Sequence, residues 1–469
     1  MRNLKKMKRL FVICALIALP ALRMMAEVDP NFYIYICFGQ SNMEGNAQPE
    51  SIDKTGIDNR FRLLATCNFS NPSRTKGNWY KATPPLVSPN GGLGPTDWFG
   101  RMMCESLPEN IRIGVIPVAM GGSPIEMFDK DKYQQKLQQN PNEWWAILAK
   151  NHYGGNPYGR IIEMAKKAQQ VGVIKGILLH QGCSNNGDPN WPNMVKKIYN
   201  DMLSDLGLAT DTVPLFVGET LRQEQGGACY GHNTQVARMP SVVRNSHVIS
   251  SEGCPGNGAD PWHFNALGYR MMGSRYAGEA LYTLGQVYPY FSFHQFDLIA
   301  GKNCSYTEST RTLTATAPGI VTWTYPRLAD WSSYKYLVVK LKEPQTANAQ
   351  IWLYKKSGTS GSIAYRDTIN DRTTVVIDLH HLKYANSTMD PSKVYKMVFR
   401  FVQAGTIKLD DVFLSNDEQY DSALTAINGV ETDDNAFCAP LYSLDGRLAE
   451  PAKLKAGVYI NNGKKILVK

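Results

Sequence analysis

Phe32-Tyr33-Ile34-Tyr35-Ile36-Cys37-Phe38-Gly39-Gln40-Ser41-Asn42-Met43 is the stretch whose reading decides the fold. Residues 32–37 form an unbroken apolar run. A strand covered on both faces of a parallel sheet need not alternate, so the run predicts a buried strand. It stops at Gly39-Gln40-Ser41, which sets the serine on a tight turn at the carboxyl edge of a sheet, where open α/β folds bind ligands. Ser41 is therefore a candidate nucleophile. It needs a histidine, an acid and oxyanion donors to act.

Outward from this strand, apolar runs recur at Ile111–Ala119, Val173–His180, Val213–Gly218 and Ser246–Ser251. Helical patterns fall between them at Trp98–Leu107, Tyr158–Val171, Met194–Leu206 and Gln235–Arg244. The last is Ala266–Leu284, with Asn265 as N-cap and Gly285 as stop. Repeated strand–helix units predict an α/β domain with a parallel sheet and helices on both faces. After Tyr288 short β-rich runs replace helices: Arg311–Ala317, Ile320–Tyr325, Tyr334–Leu341, Gln350–Tyr354, Thr373–Leu379, Val394–Val402 and Thr406–Leu414. Turn-rich breaks such as Lys356–Gly361 separate them, as in an all-β sandwich. Leu441–Gly446 and Gly457–Lys469 add two or three small strands. The expected organisation is a leader over 1–26, an α/β domain over 27–287, a β-sandwich over 288–415, and a linker with a small β tail over 416–469.

The leader reading rests on Arg2, Lys5, Lys6, Lys8 and Arg9 followed by the uncharged run Leu10–Leu22, with Met24-Met25-Ala26 as a cleavage region. The run is too short to span a membrane, and Cys14 lies mid-run instead of at its end, against a lipid anchor. Export is the expected destination, to the periplasm, cell surface or medium, with no membrane span after the leader is removed. Removing residues 1–26 takes away six basic residues and no acidic one, which lowers the formal charge from +9 to +3. Nucleic acid is thus not an expected partner. The eight remaining cysteines show no CxxC pair and no metal-ligand spacing, so no metal site is expected. Disulfides are compatible with export, and Cys229–Cys254 and Cys67–Cys104 are the pairs to test.

Four segments end strands where loops should converge: Gly39-Gln40-Ser41-Asn42, Ala119-Met120-Gly121-Gly122-Ser123-Pro124, His180-Gln181-Gly182-Cys183-Ser184-Asn185 and Asp260-Pro261-Trp262-His263-Phe264. Asp260 and His263 sit three residues apart on a Pro-containing loop. The carboxylate can then reach one imidazole nitrogen while the other faces Ser41, fixing the tautomer and stabilising the imidazolium. Gly121 and Gly122 allow close backbone approach, so an amide N–H can point at a developing oxyanion. Gln181 and Asn185 offer side-chain amides for the same oxygen, or brace their loop.

These segments resemble the blocks of the SGNH (GDSL-like) hydrolases, in particular the sialate O-acetylesterase and acetyl xylan esterase group, carbohydrate esterase family six. The patterns are F-G-Q-S-N-M-x-G, G-G-(S/T), H-Q-G-E-(S/A)-(N/D) and D-x-x-H-F, in order over about residues 30–285. The resemblance implies a three-layer α/β/α sandwich and removal of O-acetyl groups from carbohydrate, with no metal or organic cofactor. It implies Ser41 as nucleophile, His263 as base and Asp260 as its orienter. The oxyanion would be bound by the Ser41 N–H, a Gly121 or Gly122 N–H and an amide side chain, Gln181 or Asn185. Gln40, Asn42 and Trp262 would contact substrate, an acetylated polysaccharide or oligosaccharide. Cys183 departs from the pattern, standing where the family has Glu, and a thiol cannot supply a carboxylate's charge-assisted hydrogen bonds. The β-rich domain resembles galactose-binding-like jelly rolls, notably at Ile407–Val412, and the tail resembles type IX secretion sorting domains of Bacteroidota.

Three rival readings remain. Cys183 motivates a glycan-binding homologue with a decayed site, and also a thiol hydrolase. A lipase or peptidase of the α/β-hydrolase type is disfavoured, because Gly39-Gln40-Ser41-Asn42-Met43 lacks the second glycine of a G-x-S-x-G elbow. Trp144, Trp145 and Tyr153 form either a sugar-stacking wall or a satellite core. His180, Trp191 and Trp262 flank the motifs and are candidates to line the pocket. Trp323, Trp331 and Trp352 read as core of the β-rich domain.

Overall fold

The computed structural model describes residues 28–209, 212–286, 291–345, 348–357, 360–369 and 371–420, with the backbone strands Leu441–Ser443, Gly457–Asn461 and Lys464–Val468. The leader expected over 1–26, the 287–290 junction and most of the tail lie outside the described residues. Two compact units are distinguished, one ending at Leu414 and the other beginning at Ser415. In the second, three antiparallel strands pair in the order Leu441–Ser443, Gly457–Asn461, Lys464–Val468.

The first unit opens with a seven-stranded sheet of β1 (Phe32–Gly39), β2 (Phe61–Leu64), β3 (Trp79–Lys81), β4 (Arg112–Ala119), β5 (Val173–His180), β6 (Leu215–Gly218) and β7 (Ser246–Ile249). Their order across the sheet is β3-β2-β4-β1-β5-β6-β7. All neighbours run parallel except β3, which is antiparallel to β2 at the edge, so the sheet is mixed and not wholly parallel as expected. The short strands β2 and β3 carry too few residues for a periodicity signal.

β1 lies at the centre because neither of its faces is polar. Successive strand side chains point to opposite faces. Ile34, Ile36 and Phe38 pack into one core with helices Trp144–Tyr153, Pro157–Ala168 and Trp191–Leu206. Tyr35 and Cys37 pack into a second core with helices Pro95–Ser106 and Ala266–Thr283. The result is the three-layer α/β/α arrangement. The predicted helix over 235–244 is instead two short helices, Asn233–Val236 and Met239–Val242; Pro240 sits in the first turn of the second, where its missing N–H is tolerated.

Asn265 caps the last helix by accepting the Gly268 N–H at 2.8 Å. One turn on, Arg270 reaches the fully buried Asp53 through Nε at 2.9 Å and a terminal nitrogen at 2.7 Å. Burial alone would raise the Asp53 carboxyl, but Arg270, Trp98 and the Glu50 N–H outweigh it and hold it below the usual carboxylate range. This ion pair fixes the start of the helix, and with it the loop that precedes it.

From Leu298 the chain builds two five-stranded sheets around one core. One has the order β15 (Thr374–Asp378), β12 (Tyr336–Leu341), β19 (Gly405–Ser415), β10 (Thr312–Ala315), β9 (Cys304–Thr307). The other is β14 (Ser360–Thr368), β13 (Ala349–Ser357), β18 (Val394–Phe401), β11 (Gly319–Ala329), β8 (Leu298–Ala300); β16 (Lys383–Tyr384) and β17 (Ser387–Thr388) pair in a separate two-stranded ribbon. Trp323 and Trp331 are fully buried between them, in line with their reading as core; Trp352 is instead on the other face of its strand from the core residues Ile351 and Leu353, with Arg400 over its ring and Tyr354 beside it, which corrects its reading as core. The Lys356–Gly361 break is the tip of the β13–β14 hairpin, and the sequence reading missed β14 on its far side. No helix among the described residues is long and apolar enough to cross a membrane.

Candidate active site

The turn that carries Ser41 begins where β1 ends. Gly39 has φ +151°, and a Cβ on it would lie 2.2 Å from the His180 carbonyl oxygen, so this position requires glycine. The Gln40 N–H donates to that same carbonyl at 3.1 Å, locking the turn against β5. Ser41 then opens a four-residue helix, Ser41–Glu44, whose Met43 and Glu44 N–H groups donate back to the Gln40 carbonyl at 2.8 and 2.9 Å.

The loop after β7 brings the other two groups. His263 Nε2 lies 2.8 Å from Ser41 Oγ, and His263 Nδ1 lies 2.9 Å from Asp260 Oδ2. Asp260 Oδ1 accepts the N–H groups of Trp262 and His263 at 2.8 and 3.0 Å, and Oδ2 accepts Asn257 Nδ2 at 2.8 Å. Burial would raise this carboxyl, but the bonds from His263, Asn257 and Trp262 win and bring it down to about 2. Asp260 is thus ionised at neutral pH and accepts from Nδ1–H, which leaves Nε2 as the acceptor facing Ser41. Ser41, His263 and Asp260 come together as the sequence led one to expect.

The expected oxyanion donors divide. The Gly121 N–H donates to Glu44 Oε2 at 2.7 Å and is engaged. Gln181 is fully buried; its Nε2 donates to Asn185 Oδ1 at 2.7 Å and to the Ser123 carbonyl at 3.3 Å, and its Oε1 accepts Trp191 Nε1 at 2.5 Å. Asn185 Nδ2 donates to Glu126 Oε2 at 3.2 Å while Oδ1 accepts the Ile125 N–H at 2.9 Å. These bonds correct the oxyanion assignment of Gly121, Gln181 and Asn185: the two amides brace their loop. The N–H groups of Ser41 and Gly122 have no acceptor among the described residues. Gly122, at φ +78°, turns the chain there, and its carbonyl accepts Ser184 Oγ at 2.8 Å.

Gln40 and Asn42 are also corrected, from substrate contacts to braces. Gln40 Oε1 accepts the N–H groups of Gly182 and Ser184 at 3.1 and 3.2 Å, tying the third loop to the Ser41 turn. Asn42 is buried, donating to the Trp262 carbonyl at 3.0 Å and accepting Tyr269 OH at 2.7 Å. His180 and Trp191 are buried too, and Trp145 and Tyr153 belong to the core. Trp262 is half exposed, at 46%. Trp144 is 56% exposed, with Nε1 3.7 Å from where a Cβ on Gly121 would stand; Ser41 Cβ is 3.8 Å from that same point. Trp144 thus stands near Ser41, and the Trp262 ring centre lies 6.5 Å from that of His263.

Cys183 lies beside Cys229, whose thiol donates toward the Cys183 carbonyl at 4.0 Å. The Cys229 contact and burial push the Cys183 thiol up, so it is not a ready thiolate, and His263 faces Ser41 instead. No disulfide joins Cys37, Cys67, Cys104, Cys183, Cys229, Cys254 or Cys304, so neither Cys229–Cys254 nor Cys67–Cys104 is bridged. Three carboxylates that gather elsewhere, Asp129, Asp131 and Asp201, surround Lys197 Nζ at 2.8, 2.6 and 2.8 Å, an ammonium standing where a cation would.

Sequence reasoning missed Glu44, which fills the open x of F-G-Q-S-N-M-x-G. Buried beneath the Ser41 turn, it accepts Ser88 Oγ at 2.8 Å and the Gly121 N–H. Burial raises its carboxyl, and these two bonds offset that only in part. With the folded pKa above the unfolded one, its contribution to stability is complete below the ordinary glutamate value of about 4.3 and is lost as pH rises through the folded value. We expect Glu44→Gln, whose carbonyl oxygen can accept the Gly121 N–H while its NH₂ donates to Ser88 Oγ, to gain stability over the native chain as pH goes from acid to neutral. Chemical denaturation of both proteins across that range checks this; stability curves that stay parallel would refute it.

Residues 31–282 match the family described as carbohydrate esterase, sialic acid-specific acetylesterase. The chain belongs to this carbohydrate esterase family. It is accordingly a carboxylic ester hydrolase. Among solved structures, a protein from Arabidopsis thaliana is 19% identical, covering 54% of this chain and 99% of its own at a TM-score of 0.41. NanS is 14% identical, with 55% and 99% covered and a TM-score of 0.42. The family 11 carbohydrate-binding module of a Clostridium thermocellum cellulase is 13% identical, with 26% and 86% covered and a TM-score of 0.21.

Proposed function

We propose that this esterase removes O-acetyl groups from an acetylated glycan through an acetyl-enzyme on Ser41. The observation that carries the reading is the unbroken relay from Asp260 through His263 to Ser41 at 2.9 and 2.8 Å. Ser41 Oγ attacks the acetyl carbonyl carbon as its proton passes to His263 Nε2, and ionised Asp260 stabilises the imidazolium. The negative oxygen of the tetrahedral intermediate is taken by the N–H groups of Ser41 and Gly122, one such donor being worth roughly 3–4 kcal/mol. Collapse breaks the ester C–O bond, and His263 returns the proton to the departing sugar hydroxyl. A water, deprotonated by His263, then attacks the acetyl group, releasing acetate and restoring Ser41.

The geometry favours this over a decayed glycan-binding homologue, because Cys183 sits against Cys229 and takes no part in the relay. Trp144 and Trp262 would offer ring faces to the sugar beside the ester. The sandwich is proposed to hold carbohydrate, and the basic leader and tail to direct export. Acid quenching during turnover of an acetylated oligosaccharide, followed by peptide mass analysis, should find acetyl on the peptide bearing Ser41. Acetate release without that adduct, in rapid-quench time courses that resolve the first turnover, would favour direct attack by water.

A further inference from the structure

A cavity of about 450 Å³ lies between the loop after β7, the helix Ala266–Thr283 and the outward face of β11, β13 and β18. Its walls carry four basic side chains, Arg275, Arg327, Lys356 and Lys396, against one acidic, Glu252. Glu252 is already engaged: Tyr395 OH donates to it at 2.6 Å, and Lys356 and Arg222 stand 3.8 and 3.7 Å away. Arg327 pairs with Glu279. Among the described residues, Arg275 and Lys396 have no ion-pair partner. Arg275 donates to the Ser250 carbonyl at 2.6 Å and contacts Cys254 Sγ at 3.3 Å. The Lys396 ammonium lies 4.9 Å from the Tyr354 ring centre and 5.4 Å from that of Tyr395. Burial lowers its pKa, with Glu252 opposing. Half-buried cations without a counter-ion are costly, so an anion is what this cavity lacks. An adjoining hollow of about 300 Å³ shares Lys356 and adds Lys355, with Lys393 there paired to Asp390 at 3.5 Å.

The cavity is also placed to serve the esterase. The sheet register sets Gly39, Ala119 and His180 in one row, and one pair beyond Leu179–Val217 it sets Gly218 beside Ile249. The loops after β1 and β7 therefore leave the same edge, three strand spacings or about 14 Å apart. A single loop, from Ser250 to Phe264, supplies a wall of the cavity at its start and Asp260 and His263 near its end.

We propose that this cavity binds a negatively charged sugar unit, a uronate or a sulfate ester, of the glycan whose acetyl group is cut at Ser41. The sugar part rests on the function proposed above; the charge rests on the cavity. Guanidinium and ammonium groups with nearby tyrosine rings suit a carboxylate or sulfate on a pyranose, with the sugar faces against the rings.

The test is a titration of the full chain carrying Ser41→Ala, which cannot consume the ligand, with oligogalacturonate, a sulfated oligosaccharide and a neutral xylo-oligosaccharide of equal length. At least one anionic ligand should bind roughly tenfold more tightly than the neutral one and weaken with salt, and which one it is identifies the source of the charge. Lys396→Gln should remove most of that advantage and leave neutral binding unchanged. Lys356→Gln, at an exposed side chain, provides the same reading if Lys396→Gln unfolds. Anionic ligands binding no better than the neutral one, or an advantage that survives the substitution in a folded chain, would overturn the proposal. Either result leaves acetate release from neutral acetylated glycans untouched, so the esterase reading is tested separately.

Discussion

Ser41→Ala is expected to lower acetate release from acetylated oligosaccharides by roughly 10⁴–10⁶-fold while the protein stays folded. Even the lower figure corresponds to about 5.5 kcal/mol of lost transition-state stabilisation. The change removes one oxygen from a side chain that is 9% exposed and whose hydroxyl bonds to His263 alone. Losing one hydrogen bond of this kind typically costs about 0.5–1.5 kcal/mol of stability, too little to unfold a domain. Acetate assays and thermal unfolding on the same preparation separate the two effects. Activity within tenfold of the native chain would mean that another group attacks the ester.

Asp260→Asn should cost about 10⁴-fold in kcat with the loop still in place. Asp260 Oδ1 accepts two backbone N–H groups, and an asparagine would keep its carbonyl oxygen there. Its NH₂ would then replace Oδ2 opposite His263 Nδ1, forcing Nδ1 to accept and placing the proton on Nε2, toward Ser41. A protonated Nε2 cannot take the serine proton. The native carboxyl, at about 2, also ties stability to pH. Its stabilising contribution is present above the unfolded value near 3.9 and is lost as pH falls through about 2, so the native chain but not Asp260→Asn should lose this contribution over that range. Steady-state kinetics near neutrality and acid denaturation of both proteins measure the two consequences. A kcat close to native would remove Asp260 from the relay.

The buried strand and the placing of Asp260 beside His263 were legible in the sequence, each for its own physical reason. A strand covered on both faces has to be apolar throughout, and Phe32–Cys37 is. The Asp260–His263 spacing likewise survives folding because both groups ride on one short loop. What the sequence did not disclose was where amides and N–H groups spend their bonds. Gln181 and Asn185 are the right chemistry for an oxyanion donor, but their partners, Trp191, Ser123 and Glu126, are settled by packing across three segments. Glu44 was invisible for the opposite reason: a carboxylate one helical turn past a serine looks like a surface residue until Ser88 and Gly121 close over it. The strands β2 and β3, at one side of the sheet, were missed because four and three residues are too few to show a period.

The boundary near residue 288 is a change of architecture without being a seam. Phe296 belongs to the core beneath the sheet, with its ring 4.8 Å from that of Trp98. His294 bridges Glu105 and Glu308 at 2.8 and 3.2 Å, and Tyr395 holds Glu252 in the loop that goes on to Asp260 and His263. A gene trimmed to its esterase half would therefore encode a protein with a bared hydrophobic patch and an Asp260–His263 loop missing one of its moorings. Shuffling this esterase onto other partners, in the laboratory or over evolutionary time, has to carry the sandwich along with it, at least as far as β18.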